Sequence, residues 1–522
     1  MADSFHRIRA SVIEGRARTP RYIQRQLLLL HNTLQKSLPA IRTAIRRETN
    51  YTPAEIDVEI YLTFKMLKRE YESLDLSKFL EDEYSLAHRK DHPSRRVAIG
   101  CVYIIPSRHT RFYSVVQPVA AAIAAGNCVM IELDKSASEF DSLLAKVLSE
   151  SVDKATFAVV TGKPNDQDFF TQHCVVVDAP SDPEKRGSAR TLLAPASPRS
   201  VAVVDRTAIA ASSSPSPFPA DSASSIAQVA REIVRARFSF GGESPYAPDL
   251  VLVNEFMLPQ FCREAVQYAT ILLAENVQTS PGDDYDDNTA TSRPVLARSV
   301  GESPLTKELL QADCVSTLVS GVGGKVLHVQ KRVPALLNRK ISEPVLVVHS
   351  MRSLDDGIDL ANSLNNNKPH LATYFFSNAA TAKYLGQFIP SHISFANSIP
   401  VELLVGPAAP VSSSQPTTIH PRHPRDLFSY PSPEYISTRT DQQFLCNLLN
   451  SSTTTKESRK QMHDVLVKPL TPMNEGSGKA IGFFEQGLIL GGVVGLLSLM
   501  SVLGAFGRYV AGPVIRGKLA KR

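Results

Sequence analysis

Residues 97–132 read VAIGCVYIIPSRHTRFYSVVQPVAAAIAAGNCVMIE. The run 97–105 is short and β-rich, 112–125 carries apolar and small residues at helical spacing, and 128–132 is again short and apolar. Strand, helix and strand in that order make a βαβ unit. The alternation continues with a helix at 137–151 and strands at 157–160, 174–177 and 201–204, which predicts a largely parallel sheet of dinucleotide-binding type. A second α/β series starts at Ser225, with strands at 250–253, 344–348 and 372–376 and helices at 354–364 and 379–385. Upstream, Thr19-Pro20 places a cap residue before a proline at the first helical position. Ile23, Leu27, Leu30, Leu34, Leu38, Ile41 and Ile45 then recur every three or four residues, giving a long amphipathic helix with a kink expected at Pro39. The Ser/Pro-rich stretches 212–225 and 406–424 read as surface insertions, and 449–480 as a polar linker.

At 522 residues, 43% apolar and 21% charged, the chain has globular composition and room for two or three domains, which excludes a disordered or fibrous protein. The net charge is +6, yet Arg508, Arg516, Lys518, Lys521 and Arg522 put five positive charges in the last fifteen residues. The remainder is almost neutral, so no cationic face for nucleic acid is expected. The six cysteines, Cys101, Cys128, Cys174, Cys262, Cys314 and Cys446, have no metal spacing and read as buried reduced thiols of a cytosolic environment. No metal is expected: His88 and His92, His420 and His423, and Asp283, Asp284, Asp286 and Asp287 all lie in segments without a complete ligand pattern. Residues 487–507, GLILGGVVGLLSLMSVLGAFG, form an uncharged run of transmembrane length. This predicts a single-pass anchor in the bilayer with the preceding chain in the cytosol; endoplasmic reticulum, mitochondrial outer membrane and peroxisome stay open, the first favoured. Gly487, Gly491 and Gly495 make two GxxxG spacings that would admit close helix pairing.

Three segments carry a resemblance to a known family. VQPVAAAIAAGN at 116–127, FSFGGESPYAPD at 238–249 and the strand that follows it resemble the aldehyde dehydrogenase superfamily, in the same order. The early EGRARTPRYIQRQLLLLHNTL helix and the apolar C-terminal run point to its class 3, fatty-aldehyde branch. The resemblance implies an α/β protein with two parallel-sheet domains, an oligomerisation segment and a C-terminal transmembrane helix. The domains it implies are 1–205, N-terminal helices with a dinucleotide-binding-like unit; 206–393, a catalytic-like unit; 394–448, an oligomerisation segment; 449–480, a linker; 481–512, the anchor; and 513–522, a basic tail. It also implies a homodimer, or a dimer with a related dehydrogenase, through the segment 394–405.

The family's chemistry needs a thiolate nucleophile, an oxyanion hole, a nicotinamide and a general base. In the family's F-x-N-x-G-Q-x-C-x-A-P segment, Phe238, Gly242, Ala247 and Pro248 align without a gap and the cysteine position is Pro245, which has neither a nucleophile nor an N–H. The oxyanion asparagine corresponds to His109. In Thr191-Leu192-Leu193-Ala194-Pro195 the general-base position is Leu193. Ser244 beside Pro245 lacks a base to activate it, and Glu243 stands where the family has glutamine. At the cofactor positions, Glu132 replaces the lysine that holds the adenosine ribose, Asp178 enters the phosphate-facing turn, and Glu343 is what remains of the nicotinamide-ribose clamp. The resemblance thus implies NAD, while these substitutions predict that no cofactor is held and that NADP is the more disfavoured of the two. The expectation is a membrane-anchored, catalytically inactive or strongly impaired binding or scaffold protein. Two alternatives stay open: an NAD-dependent oxidation of long-chain aldehydes at a non-standard site, and another reaction in the former substrate pocket with His109 as acid or base.

Overall fold

In the computed structural model the described residues are 2–134, 136, 138–178, 190–193, 199–208, 225–278, 304–321, 323–410, 423–436, 442–449, 456–471 and 483–506. The chain divides into two compact units, Met1–Ser437 and Thr438–Arg522. In chain order the strands are β1 (Arg96–Ala98), β2 (Cys101–Ile105), β3 (Cys128–Glu132), β4 (Phe157–Val160), β5 (Cys174–Asp178), β6 (Arg190–Leu193) and β7 (Ser200–Val204). They continue as β8 (Leu250–Asn254), β9 (Val315–Gly321), β10 (Gly324–Val329), β11 (Val345–Met351), β12 (Ala372–Phe376), β13 (Ser394–Ala396) and β14 (Ser429–Pro431).

Five of them form a parallel sheet in the order β4-β3-β2-β5-β6. Because β3 and β4 lie on one side of β2 and β5 and β6 on the other, the winding direction reverses between β2 and β5. Alternate side chains of each strand enter separate cores. Val102, Ile104, Val129 and Ile131 pack under the helices Pro20–Lys36 and Arg111–Ala124, while Cys101, Tyr103, Cys128 and Met130 pack on Phe5, Ile8 and Val12 of the N-terminal helix Ala2–Glu14. Seven strands form the second sheet, β13-β12-β7-β8-β11-β10-β9, parallel except for the β9–β10 pair. Its faces are covered by the helices Ser225–Phe238 and Leu258–Gln278 on one side and Leu354–Leu364 on the other.

Several expectations change here. The run 97–105 is two strands, because the chain turns at Gly100, whose φ is +126° and whose added Cβ would meet Val12 at 2.9 Å. β1 pairs antiparallel with β14 instead of joining the parallel sheet. The long N-terminal helix is broken rather than kinked: Pro20–Lys36 ends at Ser37 and Leu38–Glu48 begins with Pro39 in its first turn, where a missing N–H costs nothing. The strand Ser200–Val204, counted above with the first domain, is central to the second sheet. Cys262 is half-buried and Cys446 exposed, so only four of the six thiols are buried. The expected linker contains the helix Lys456–Val467. The insertions 212–225 and 406–424 and the basic tail fall largely or wholly outside the described residues.

At the C-terminal end the backbone is helical over Phe483–Phe506, 24 residues. Its described side chains run only from Glu485 to Ser501, and among the described residues no helix is long and apolar enough to cross a membrane. The transmembrane expectation for 487–507 therefore stands here as a helix and no more.

Candidate functional site

The loop 238–249 leaves the helix Ser225–Phe238 through a 3-10 turn, Ser239–Gly242, in which Phe240, Gly241 and Gly242 all adopt left-handed backbone (φ 53°, 65° and 70°). A bulky residue in that region is rare and must be held there. Phe240 is held by its N–H, which donates to Glu55 Oε1 at 2.7 Å, and by ring contacts to Tyr51 at 5.4 Å and His109 at 6.1 Å, both edge-on. Gly242 is fixed by space: a Cβ there would lie 2.3 Å from the Glu343 carbonyl carbon, so only glycine lets this loop meet the segment before β11.

Beneath the loop lies a buried ion network. Asp249, fully buried, accepts from Ser200 N at 2.9 Å, Ile341 N at 3.0 Å and Lys340 Nζ at 3.0 Å, and faces Arg237 Nη1 at 3.5 Å. Arg237 in turn donates to the carbonyls of Gly242, Ile341 and Glu343. Burial pulls the Arg237 guanidinium down to about 10 and lowers the Lys340 ammonium, with the Asp249 charge opposing both shifts. Pro245 sits on top of this network. Its carbonyl accepts from Lys340 Nζ at 2.8 Å and from Ser200 Oγ at 3.2 Å. Ser244 is fully buried and its Oγ accepts from Tyr246 N at 3.4 Å.

His109 reaches the same loop from the other sheet. It follows β2, directly before the helix Arg111–Ala124, and is buried. Nε2 lies 2.8 Å from the Leu404 carbonyl, which can only accept, so Nε2 carries the hydrogen; in the neutral ring Nδ1 is then the acceptor nitrogen. Nδ1 lies 4.0 Å from Glu243 Oε2, and partial burial raises the Glu243 carboxyl. The two positions therefore meet, although nothing in their sequence separation of 134 residues requires it.

Sequence reading missed the residues that bring them together. The helix Pro53–Glu72 carries Glu55, which closes a capping box on Thr52 and also holds Phe240 N, and Glu59, whose Oε1 accepts from Tyr113 N at 3.3 Å. Burial pushes the Glu59 carboxyl up to about 7. One helix turn thus braces both the Phe240 loop and the start of the His109 helix, and Tyr51 Oη accepts from Thr110 N at 3.3 Å. The signal present in sequence was Thr52-Pro53-Ala54-Glu55, a capping box with proline at the first helical position.

The cofactor positions lie elsewhere. Glu132 ends β3 and Asp178 ends β5, so they flank the carboxyl end of β2, with Asp178 in register with Ile105 at the reversal point. Glu132 Oε2 accepts from Tyr103 Oη at 2.6 Å. Leu193 ends β6, opposite Asp178. The side chains of Asp178 and Leu193 lie outside the described residues. Glu343 is half-buried beside Gly242, on the second sheet. Cys262 lies on the helix Leu258–Gln278, packed among apolar residues, and burial pushes its thiol up to about 11.

Comparison with known proteins agrees with this architecture. Residues 10–179 match the aldehyde dehydrogenase family. The chain is 23% identical over 405 residues to human aldehyde dehydrogenase family 3 member B1, covering 73% of this chain and 79% of that protein. It is 24% identical over 457 residues to aldehyde dehydrogenase family 3 member A2 of Macaca fascicularis, covering 83% and 87%. Among solved structures, the substrate-bound AldH of Staphylococcus aureus superposes with a TM-score of 0.64 at 18% identity, over 85% of this chain and 95% of that one. A NAD-dependent benzaldehyde dehydrogenase from Corynebacterium glutamicum superposes with a TM-score of 0.53, also at 18% identity, over 76% and 85%.

Proposed function

We propose that this chain is a member of the aldehyde dehydrogenase family, on its class 3 side, whose oxidative site no longer turns over, a binding or scaffold protein built on the enzyme's frame. The observation that carries this is Pro245. The loop around it keeps the glycine, the left-handed turn and the buried ion network that would position a nucleophile, yet the residue presented is a proline whose carbonyl is engaged by Lys340 and Ser200. Ser244 is sealed, its hydroxyl engaged by Tyr246 N, and Cys262 is half-buried against an apolar cluster with its thiol pushed up by burial.

The cofactor edge supports the same reading. NAD would bring a pyrophosphate to the carboxyl ends of β2 and β5, and the chain places an aspartate at the end of β5 and a glutamate, already bonded to Tyr103, at the end of β3. Only eleven residues connect β5 to β6, the crossover that in such folds supplies a helix N-terminus to the phosphates. These groups do not fit a dinucleotide. The proposed protein is anchored in a bilayer by its C-terminal helix, whose 24 residues extend about 36 Å at 1.5 Å each and whose described side chains include exposed Leu488, Leu490, Leu496 and Leu497. β13, at the edge of the seven-stranded sheet, is where a second copy or a related dehydrogenase would add a strand.

The test is direct. Full-length chain in a non-ionic detergent is mixed with NAD and a long-chain aldehyde, and NADH is followed by absorbance while NAD binding is titrated by calorimetry. Neither reduction nor saturable binding is expected. Turnover that disappears on changing a single side chain of the chain would overturn the reading.

A second reading is favoured by the His109–Glu243 approach. A carboxyl raised by burial and an imidazole acceptor nitrogen 4.0 Å apart form an acid and a base that a bridging water or substrate group would connect. Under this reading an activity is found and His109→Ala abolishes it; under the first there is none to lose.

A further inference from the structure

Three of the six cysteines meet in the five-stranded sheet. Cys101, Cys128 and Cys174 are the first residues of the neighbouring strands β2, β3 and β5. The register pairs Cys101 with Cys128 on one side and with Cys174 on the other, so the three side chains stand in a row across the sheet and point to the same face. All three enter the cluster that holds Phe5, Ile8 and Val12 of the helix Ala2–Glu14 and Phe169 and Phe170 of the helix Gln167–His173. At 0%, 1% and 2% exposed, the thiols are sealed. Cys174 Sγ donates to the Val175 carbonyl at 3.6 Å, and the Cys101 and Cys174 thiols hydrogen-bond to each other. These two sulfurs are therefore in contact.

The cover over the row is a terminal element. The helix Ala2–Glu14 ends at Gly15, whose φ of +70° turns the chain. It is held by its apolar face, by the Phe5 ring standing edge-on to Phe169 at 5.3 Å, and by Arg9, which donates to Asp166 at 3.1 Å on the surface. Gly100, directly before Cys101, lets the cover close down, since an added Cβ would lie 2.9 Å from Val12 and 3.2 Å from the His173 carbonyl. A terminal helix packed by one face opens at lower cost than the sheet beneath it. While it is closed, burial pushes the Cys128 thiol up to about 12 and the Cys101 thiol well above its ordinary value, so neither supplies a thiolate. Opening returns water to the row and lifts that restraint.

We propose that Cys101 and Cys174 are a site of reversible oxidation, joined as a disulfide by a peroxide that reaches them when the N-terminal helix lifts. Neighbouring strands run about 4.8 Å apart, within the Cα separation of about 4.4 to 6.8 Å that a disulfide spans. One thiolate attacks a peroxide oxygen, the O–O bond breaks, and the sulfur becomes a sulfenic acid while the released hydroxide takes up a proton as water. The second thiolate then attacks that sulfur and displaces its oxygen, which leaves as a second water. Two thiols are oxidised and one peroxide is reduced; an added dithiol reverses the bond by exchange. The bond would tie β2 to β5, the two strands between which the winding of the sheet reverses. The site is independent of whether aldehyde chemistry survives, because no residue in it belongs to the loop 238–249.

Full-length chain in a non-ionic detergent is treated with hydrogen peroxide, blocked with N-ethylmaleimide and digested for mass spectrometry. A peptide pair linked through Cys101 and Cys174 is expected, two hydrogens lighter than the sum of its parts and separated by dithiothreitol. This measurement needs no variant. Cys174→Ser abolishes the link and leaves Cys101 as a sulfenic acid that dimedone traps. Phe5→Ala, which removes the ring that rests on Phe169, speeds formation of the link by about tenfold or more, whereas Phe256→Ala, at an exposed position, leaves the rate unchanged. Oxidation confined to half-buried Cys262 and exposed Cys446, a link from Cys101 to Cys128 in place of Cys174, or a rate in Phe5→Ala equal to the parent's overturns the proposal.

Discussion

The loop 238–249 and the carboxyl edge of the five-stranded sheet would cooperate in an active dehydrogenase, and in this chain they differ in what they retain. In the loop every group that shapes the backbone is in place: Phe238, the left-handed Phe240, the sterically required Gly242, and Asp249 with its two cations, buried Arg237 and half-buried Lys340. What differs from the family pattern is the residue displayed, Pro245. At the sheet edge the strands are in order, but acidic residues, Glu132 and Asp178, end β3 and β5, and eleven residues separate β5 from β6. The contrast separates two kinds of constraint. Loop residues such as Asp249 also tie the strand Ser200–Val204 to the segment before β11, whereas Asp178 at the sheet edge stands at a strand end.

The largest expected effect tests the loop half of that contrast. Asp249→Ala leaves Arg237, fully buried, without its nearest counter-charge and strips acceptors from Ser200 N and Ile341 N. Removing one partner of a buried pair costs about 3 to 5 kcal/mol, more than most single substitutions. The readout is the urea midpoint by circular dichroism, and an unchanged midpoint would mean that the network does not hold the loop.

How much of this was legible follows the same division. The parallel series 101–178 could be read because short apolar runs alternate with helix-length segments, and Gly242 because its alignment to the family pattern has no gap. β9 and β10 were missed because their alternating, half-buried residues in 315–329 include Ser, Thr, Gly, Lys and His, which dilute the apolar signal. β6 escaped because only four residues, Arg190–Leu193, form an edge strand. The separate fate of β1 depends on its antiparallel partner β14, more than 300 residues away, and no local pattern announces such a pairing. In the site, sequence pointed to His109 and Pro245, both of which lie at the loop 238–249, but not to Glu55 and Glu59. Their roles depend on where the helix Pro53–Glu72 docks, which is a tertiary fact.

Glu59 gives the next largest effect and tests the brace between the two regions. Its carboxyl is 1% exposed, Oε2 has no hydrogen-bond partner among the described residues, and burial raises it from an ordinary 4.5 to about 7. A carboxyl whose folded value is raised contributes its stability in full below about 4.5 and loses it as pH rises through about 7. Glu59→Gln keeps an acceptor for Tyr113 N and removes the buried charge. Relative to the parent, the variant is expected to gain stability on going from acidic pH to pH about 8, by up to about 3 kcal/mol. Urea midpoints of both proteins at the two pH values measure this. A difference that does not change with pH would show that Glu59 is not held in its protonated form near neutrality.

Pro245→Cys has the smallest expected effect on stability and sharpens the comparison most. The contacts this position makes to Lys340 and Ser200 go through its carbonyl oxygen, which any residue supplies. Replacing the ring therefore costs only the backbone restriction that proline imposes on the unfolded chain, about 1 kcal/mol or less. The new thiol would sit on an intact loop, so its presence isolates the contribution of the other region. With Leu193 at the end of β6 and carboxylates at the ends of β3 and β5 unchanged, the proposed function supplies the sulfur with neither a water-activating base nor a cofactor. The expected result is a folded protein, labelled at residue 245 by iodoacetamide, that forms no NADH from a long-chain aldehyde and NAD. If NADH appears, the sheet edge has kept its cofactor function, and the difference between the two regions reduces to a single side chain.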